Sequence, residues 1–266
     1  MKRNVLITGA YGGMGRATAR LLVERGYRVF ALDKTVGAPE QGIIPIEADV
    51  TDESSILHAF ELISGMTDQL FAIIHFAGIY MLDSLVEMES NDFERIFRIN
   101  LGGAFLVNKH FLPMMKKGSR VIITTSELAP LDPLPFTGIY AVTKGALDKY
   151  AYSLRMELQL KGIHVSVLRA GAVSTGMLGV STDALDRFCN KTELYTCNAE
   201  RFKSIVDRVE ARSIEPARLA DKVCRILQKR STCFAYCINR NPLLLLLNLL
   251  PKRMQLWAIK QVLKNR

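Results

Sequence analysis

The stretch Thr8-Gly9-Ala10-Tyr11-Gly12-Gly13-Met14-Gly15 stands between an apolar run, Val5–Thr8, and a helical pattern over Gly13–Arg25. Glycine reaches positive φ without strain and lets another group approach the backbone closely. A strand that turns through such a loop into a helix aims N–H groups and the positive end of the helix dipole at one point, where a pyrophosphate can be held. Glycine spacing alone is a weak signal; the strand before it and the helix after it make it a dinucleotide site here. Gly9, Tyr11, Gly12, Gly13, Met14 and Gly15 are its candidate residues.

Downstream, short apolar runs at Arg28–Leu32, Ile43–Glu47, Phe71–Phe76, Val121–Thr125, Val165–Arg169 and Cys233–Ile238 alternate with helical patterns. The helices are expected over Ser54–Ile63, Asp92–Lys116, Ile139–Lys161 and Pro216–Lys229. Strands separated by crossover helices pair in parallel, and right-handed crossovers place helices on both faces. The expected fold is therefore α/β: a single-domain Rossmann fold with a doubly wound parallel sheet of about seven strands. It should occupy residues 1–240, with a helical extension over 241–266. Leu128–Phe136, with Pro130, Pro133 and Pro135, reads as a stiff apolar loop after a strand, where such sheets build their sites. Residues of about 176–212 read as an irregular insertion of the kind that forms a lid.

With 266 residues, 49% hydrophobic and 23% charged, the chain is neither disordered nor collagen-like. The net charge is +9, and six of the basic residues behind it, Arg240, Lys252, Arg253, Lys260, Lys264 and Arg266, lie in the last 28 residues with no acid among them. The main body has no basic stripe that could follow phosphates, so no nucleic-acid partner is expected. The apolar run Leu243–Leu250, followed by Pro251, is far shorter than the roughly 20 residues that span a bilayer. Beyond Pro251 a helix carries Arg253, Lys260 and Lys264 on one side and Met254, Leu256, Trp257, Ile259, Val262 and Leu263 over much of the rest. It has three readings: a cover for a pocket, a subunit contact, or a peripheral membrane contact, with the first two slightly favoured. The five cysteines (Cys189, Cys197, Cys224, Cys233, Cys237) do not combine with His58, His75, His110 or His164 in a metal-binding spacing, and no metal is expected. Met1-Lys2-Arg3-Asn4 runs into the first strand without the apolar core of a signal peptide, so a reducing, cytoplasmic setting is expected, with membrane association as the variant.

Two clusters carry the chemistry. Asp33, eighteen residues after Gly15, ends the second strand, where a carboxylate accepts both ribose hydroxyls and repels a 2′-phosphate; this favours NAD over NADP, although Lys34 beside it softens the repulsion. Tyr140-Ala-Val-Thr-Lys144 opens a long helix, so phenol and ammonium share a face. A phenol of pKa about 10 needs roughly 3 units, or about 4 kcal/mol, to act as a base near pH 7. An ammonium at about 4 Å with an effective dielectric near 20 contributes on the order of that amount. Ser126 ends the preceding strand and offers a hydroxyl to hold a substrate oxygen beside the phenol.

The glycine loop, Asp33, Asp49-Val50, His75-Phe76-Ala77-Gly78, Asn100, Ser126, Tyr140, Lys144 and Gly171–Thr175 stand in the order and spacing of the short-chain dehydrogenases/reductases, which the chain resembles from residue 1 to about 240. The resemblance implies Tyr140 as general acid/base, Ser126 as positioner of the carbonyl or alcohol, Lys144 as ribose ligand and pKa modulator, and Asn100 as link in a water-borne proton relay. It implies cofactor contacts at Asp49 and Val50 for adenine, at Thr175 for the carboxamide, and at Ala77, Gly78, Gly171 and Val173. It also implies a homodimer or homotetramer paired through Asp92–Lys116 and Ile139–Lys161. Phe76 replaces the family's usual asparagine and Ala170 its usual proline, neither in the proton path. Glu127, also unusual, is expected to face solvent, the alternative being a negative charge at the substrate mouth.

Leu128, Leu131, Leu134 and Phe136, then Met177, Leu178, Val180, Leu185 and Phe188, offer an apolar wall, with Ser126 and Tyr140 at its polar end. The likeness is greatest to the hydroxysteroid and retinol dehydrogenase branch. The resulting expectation is an NAD-dependent oxidoreductase that interconverts a secondary alcohol and a ketone on a bulky apolar molecule, a hydroxysteroid or a bile-acid-like one. The rivals are a ketoacyl or other carbonyl reductase and a non-catalytic NAD-binding sensor or scaffold.

Overall fold

Seven apolar strands, β1 (Asn4–Thr8), β2 (Arg28–Asp33), β3 (Ile43–Glu47), β4 (Leu70–His75), β5 (Met115–Ser126), β6 (His164–Ala170) and β7 (Ala235–Ile238), pair in parallel in the order β3-β2-β1-β4-β5-β6-β7. This is a computed structural model; it describes residues 3–210 and 212–264, with their side chains except at 177–183, 197 and 207–210. Residues such as Val5, Ile7, Val29, Ile73 and Ile122 are wholly enclosed, because a parallel sheet is covered on both faces. One face takes α1 (Gly13–Glu24) and α8 (Pro216–Gln228), which bury Ala19, Leu22, Leu219 and Val223 against β1, β2 and β4. The other takes α2 (Glu53–Ser64), α4 (Gly103–Phe111) and α5 (Gly138–Leu158), through Ile56, Ile63, Val107, Phe111, Leu147 and Leu154. The strand order reverses between β1 and β4, and the carboxyl ends of the strands beside that reversal form the crevice where ligands bind in open α/β sheets.

Two stretches depart from the sequence reading. The pattern over Asp92–Lys116 is not one helix: α3 (Ser90–Phe97) passes through a π-helical turn at Arg98–Gly102 into α4, then through a 3₁₀ turn at Leu112–Met114, and Met115 and Lys116 already belong to β5. Pro113 removes an N–H there and ends the α-helical ladder. Residues 176–212 are mostly helical rather than irregular, as α6 (Gly176–Lys191) and α7 (Thr196–Glu210). These two helices hold together by packing Leu185, Phe188, Ala199 and Phe202 around Phe136, a tertiary contact that local propensity does not announce.

The C-terminal segment folds as α9 (Pro242–Leu249) and α10 (Lys252–Leu263). Asn241 caps α9 by accepting a hydrogen bond from the Leu243 N–H at 3.0 Å. Among the described residues no helix is long and apolar enough to cross a membrane, and no cluster of three metal-ligating side chains occurs.

Candidate active site

The glycine loop closes so tightly that most of its glycines are obligatory. Gly9 has φ +65°, and a Cβ on it would lie 2.6 Å from the Ala77 nitrogen. A Cβ on Gly15 would run into the Gly9 carbonyl oxygen, and one on Gly13 would lie 2.6 Å from Thr175 Cγ2. Gly13, Met14 and Gly15 thus sit behind the turn as packing, Met14 against the core, while Gly9, Tyr11 and Gly12 face a cavity of about 750 Å³. The same cavity is bordered by Asp33, Asp49, Val50, Ala77 and Gly78. Among the described residues no side chain caps the N-terminus of α1, which leaves its donors to a ligand.

Asp33 is held in place by its own backbone neighbours: Oδ2 accepts from Tyr11 N at 2.8 Å and Oδ1 from Lys34 N at 2.8 Å. The Lys34 ammonium turns away to Asp49 Oδ2 at 2.9 Å. Burial pushes the Asp49 carboxyl up, but hydrogen bonds from the Thr51 N–H and hydroxyl and the Lys34 charge outweigh it and hold it at about 2. A loop with no room for side chains, a capless helix start and a carboxylate on the ribose side fit a nicotinamide dinucleotide.

Beyond Gly78 lies the candidate catalytic set. A Cβ there would come within 3.1 Å of Asn100 Oδ1 and 3.3 Å of Lys144 Nζ, so glycine is what lets both side chains border the same space. Asn100 lies in the π-helical turn, a local widening that recurs at functional sites. Its Oδ1 accepts from Ile79 N at 2.8 Å, and its Nδ2 donates to Ile79 O at 3.1 Å and to Thr143 Oγ1 at 3.1 Å. Both amide hydrogens are thereby engaged, which anchors the side chain between the loop after β4 and α5.

Tyr140 and Lys144 occupy the first turns of α5, with Lys144 Nζ 5.8 Å from the Tyr140 ring centroid and donating to Thr124 O at 3.3 Å. Burial pushes the Tyr140 hydroxyl up to about 12, and a hydrogen bond with Ser126 opposes this only in part. Burial brings the Lys144 ammonium down to about 8, still protonated at neutral pH. The attraction counted from sequence spacing is thus outweighed by desolvation, and the phenol at rest is an acid. Base behaviour demands more positive charge at the site.

The phenol opens into a pocket of about 220 Å³ that includes Ser126, Leu128, Leu134, Gly171, Val173 and Thr175. Phe136 does not join them. Its φ is +64°, and its ring turns away to meet Phe188 at a tilt and Tyr195 and Phe202 edge-on, so it is the centre of the lid cluster and not a wall of this pocket. Leu185 and Phe188 belong to that cluster as well. Met177, Leu178 and Val180 lie on α6, but their side chains fall outside the described residues. Sequence reasoning missed Tyr80, whose ring is 4.8 Å from that of Tyr140, and the pocket residues Phe202, Ile205, Val206 and Leu244. The spacing of Phe202, Ile205 and Val206 on one helical face was the signal that could have found three of them.

Glu127 is buried instead of facing solvent: its Oε2 accepts from Asn241 N at 2.6 Å, and a Cβ on Gly171 would lie 3.0 Å from its Oε1. Burial raises its carboxyl, against the pull of Asn241 and Arg240. The residue beside Ser126 therefore ties the start of the C-terminal segment to the end of β5.

Tyr140 and Lys144 stand between a dinucleotide cavity and an apolar pocket, the arrangement of an oxidoreductase that moves a hydride and one proton. The family follows from comparison with known proteins: the model described as short chain dehydrogenase matches residues 3–186, and the chain belongs to that family, whose members bind a nicotinamide cofactor. It is 25% identical to the 3-ketodihydrosphingosine reductase of Bacteroides thetaiotaomicron over 231 residues, 86% of this chain and 85% of that one. It is 30% identical to mouse estradiol 17-beta-dehydrogenase 2 over 200 residues, 70% of this chain and 52% of that one. Among solved structures, a short chain dehydrogenase from Burkholderia cenocepacia in complex with NADP aligns with a TM-score of 0.74 at 18% identity, over 100% of this chain and 98% of that one.

Proposed function

We propose that the chain is an NAD-preferring dehydrogenase/reductase that interconverts a secondary alcohol and a ketone on a bulky or elongated apolar molecule. One observation carries the reading: Tyr140, hydrogen-bonded to Ser126 and backed by Lys144, forms with Glu127 the polar end of a pocket whose other walls are mostly apolar. That pocket shares Leu134, Phe202, Ile205 and Leu244 with a second apolar cavity of about 280 Å³ behind α9. Together they reach the size range of sites for small apolar ligands, roughly 300–1,000 Å³. A steroid-like ring system and a long-chain ketone both suit such a shape, and the two relatives above are named for one of each.

When bound, the nicotinamide dinucleotide supplies the hydride acceptor or donor. Ser126 orients the substrate oxygen, and Tyr140 gives or takes its proton. Lys144 stabilises the phenolate as an ammonium, and the lid cluster keeps water away from the exchange. Burial leaves the phenol protonated at rest, the form that donates to a ketone oxygen, and a carbonyl reductase is the second reading. The preference for NAD rests on Asp33, fixed by two backbone N–H groups, and on Lys34, which is committed to Asp49 and not turned towards a 2′-phosphate. Cytoplasmic residence and a homodimer or homotetramer remain part of the proposal; exposed Phe105 on α4 and Tyr152 and Met156 on α5 offer apolar surface for subunit pairing.

A screen of steroid, retinoid, long-chain 3-keto and short secondary-alcohol substrates with both dinucleotides tests the reading. Turnover with NAD exceeding that with NADP at least about tenfold is expected, and Asp33→Ala should narrow the gap. Turnover with NADP alone, or none with any apolar substrate, overturns it.

A further inference from the structure

We propose that the outer face of α9 and α10 seats the protein on an anionic phospholipid surface, with α9 as the partition between the bilayer and the apolar cavity that leads to Tyr140. The inference rests on the apolar-substrate reading above for what passes through, but not for the seating itself.

The eight residues of α9, Pro-Leu-Leu-Leu-Leu-Leu-Asn-Leu, include none that is buried. Leu244 and Leu247 face the cavity behind the helix, whereas Leu246 and Leu249, the latter 81% exposed, turn outward. In α10 the division is sharper. Ala258, Ile259 and Val262 line the inner cavity. Arg253, Leu256, Trp257, Lys260 and Lys264 follow the i, i+3, i+4, i+7, i+11 rule and share the opposite face, where Leu256 is 68% and Trp257 65% exposed. A folded chain gains by burying such leucines, and these have been left out of its core.

The segment is nonetheless firmly placed. Asp132 N donates to Asn248 Oδ1 at 2.7 Å, Lys252 pairs with Asp132, and Asn198 Nδ2 donates to Leu263 O at 2.6 Å. An apolar face held rigidly in water calls for a partner.

Charge selects which one. Residues 239–266 contain no Asp or Glu. Among the described residues Arg253, Lys260 and Lys264 have no carboxylate partner. A second copy of the same face would bring these cations together, whereas a surface of anionic headgroups neutralises them while the leucines enter the acyl boundary. Trp257 belongs at such an interface, with an apolar ring and a polar N–H. Exposed Leu85 and Val86 border a cavity with Lys260 and Lys264 and extend the same face.

Trp257 is the only tryptophan in the sequence, so intrinsic fluorescence reads this face directly. The full chain is titrated with vesicles of phosphatidylcholine alone and of phosphatidylcholine with phosphatidylglycerol in equal parts. The expected result is a shift of emission to shorter wavelength and co-sedimentation with the anionic vesicles, at least about tenfold stronger than with neutral ones and weakened by salt. The variant Leu246→Ser/Leu249→Ser/Leu256→Ser, whose side chains lie outside both cavities, should lose at least about tenfold in vesicle affinity while keeping its rate on a short water-soluble alcohol.

No emission change and no sedimentation with anionic vesicles at low salt overturns the proposal, as does a blue shift that appears on concentrating the protein without lipid, since a second copy then covers the face. Vesicle binding without turnover supports the seating and sinks the oxidoreductase reading; turnover without vesicle binding does the reverse.

Discussion

The dinucleotide cavity and the Tyr140 pocket lie side by side and are made of opposite materials. The first is largely backbone: glycines that cannot carry a Cβ, N–H groups of a helix start, and carboxylates fixed by main-chain donors at the end of β2 and just past β3. The second is side chain: leucines, valines and aromatics contributed by a proline-rich loop, by α7 and by α9, elements that lie outside the sheet and hold together through packing and side-chain hydrogen bonds with one another. A cavity of backbone offers few ways to change its ligand, whereas a cavity of apolar side chains changes with any of them. The contrast teaches that this chain's reaction class is written in its sheet and its substrate in its lid.

The sharpest attempt to break that contrast is Tyr140→Phe. It should lower turnover by about 10²–10⁴ while dinucleotide affinity, measured by titration, stays within about twofold. Loss of affinity on the same scale would mean the two cavities are not separable. Next in size, Phe136→Ala should cost about 3 kcal/mol of unfolding free energy in urea, with no relief of the backbone at φ +64°, since alanine keeps the Cβ. Dinucleotide affinity should again hold, because Phe136 belongs to the lid.

On the sheet side, His75 is buried against Asn108 Oδ1 at 3.0 Å and burial lowers its pKa from 6.5 to about 4. The unfolded chain takes up the proton first as pH falls, so stability present above pH 6.5 is lost between about 6.5 and 4, to a limit of roughly 3 kcal/mol. His75→Gln should flatten that slope, and an unchanged slope would clear His75 of the effect. Smallest is Glu127→Ala, which frees Asn241 N beside the pocket: KM for an apolar substrate should rise about tenfold with kcat little changed, and Glu127→Gln, which retains an acceptor, should restore most of it.

The same division explains what the sequence disclosed. All seven strands and the glycine turn after the first were legible, because buried parallel strands are continuous apolar runs and because a glycine forced by contact has no substitute. Asp33, Gly78 and Ser126 stand where strand ends place them. The lid was not legible: α6 opens with the two helix-weakening glycines Gly176 and Gly179 and is held by Leu185 and Phe188 packing with Phe136, a partner about fifty residues away. The role of Phe136 was misread for the same reason, since an aromatic in a loop looks alike whether it faces a ligand or another ring. The proton chemistry was half legible. Spacing placed ammonium and phenol on one face, but the burial that sets their acidity is a property of the packed molecule.

Asn100 spends its whole side chain on Ile79 and Thr143, and so pins the loop after β4 to the first turns of α5. That wall behaves as the fixed jaw of a clamp. The other side of the Tyr140 pocket, from α7 and α9, is held by ring contacts and side-chain hydrogen bonds instead, so reshaping for a different second reactant falls there and leaves the dinucleotide's seat as it is.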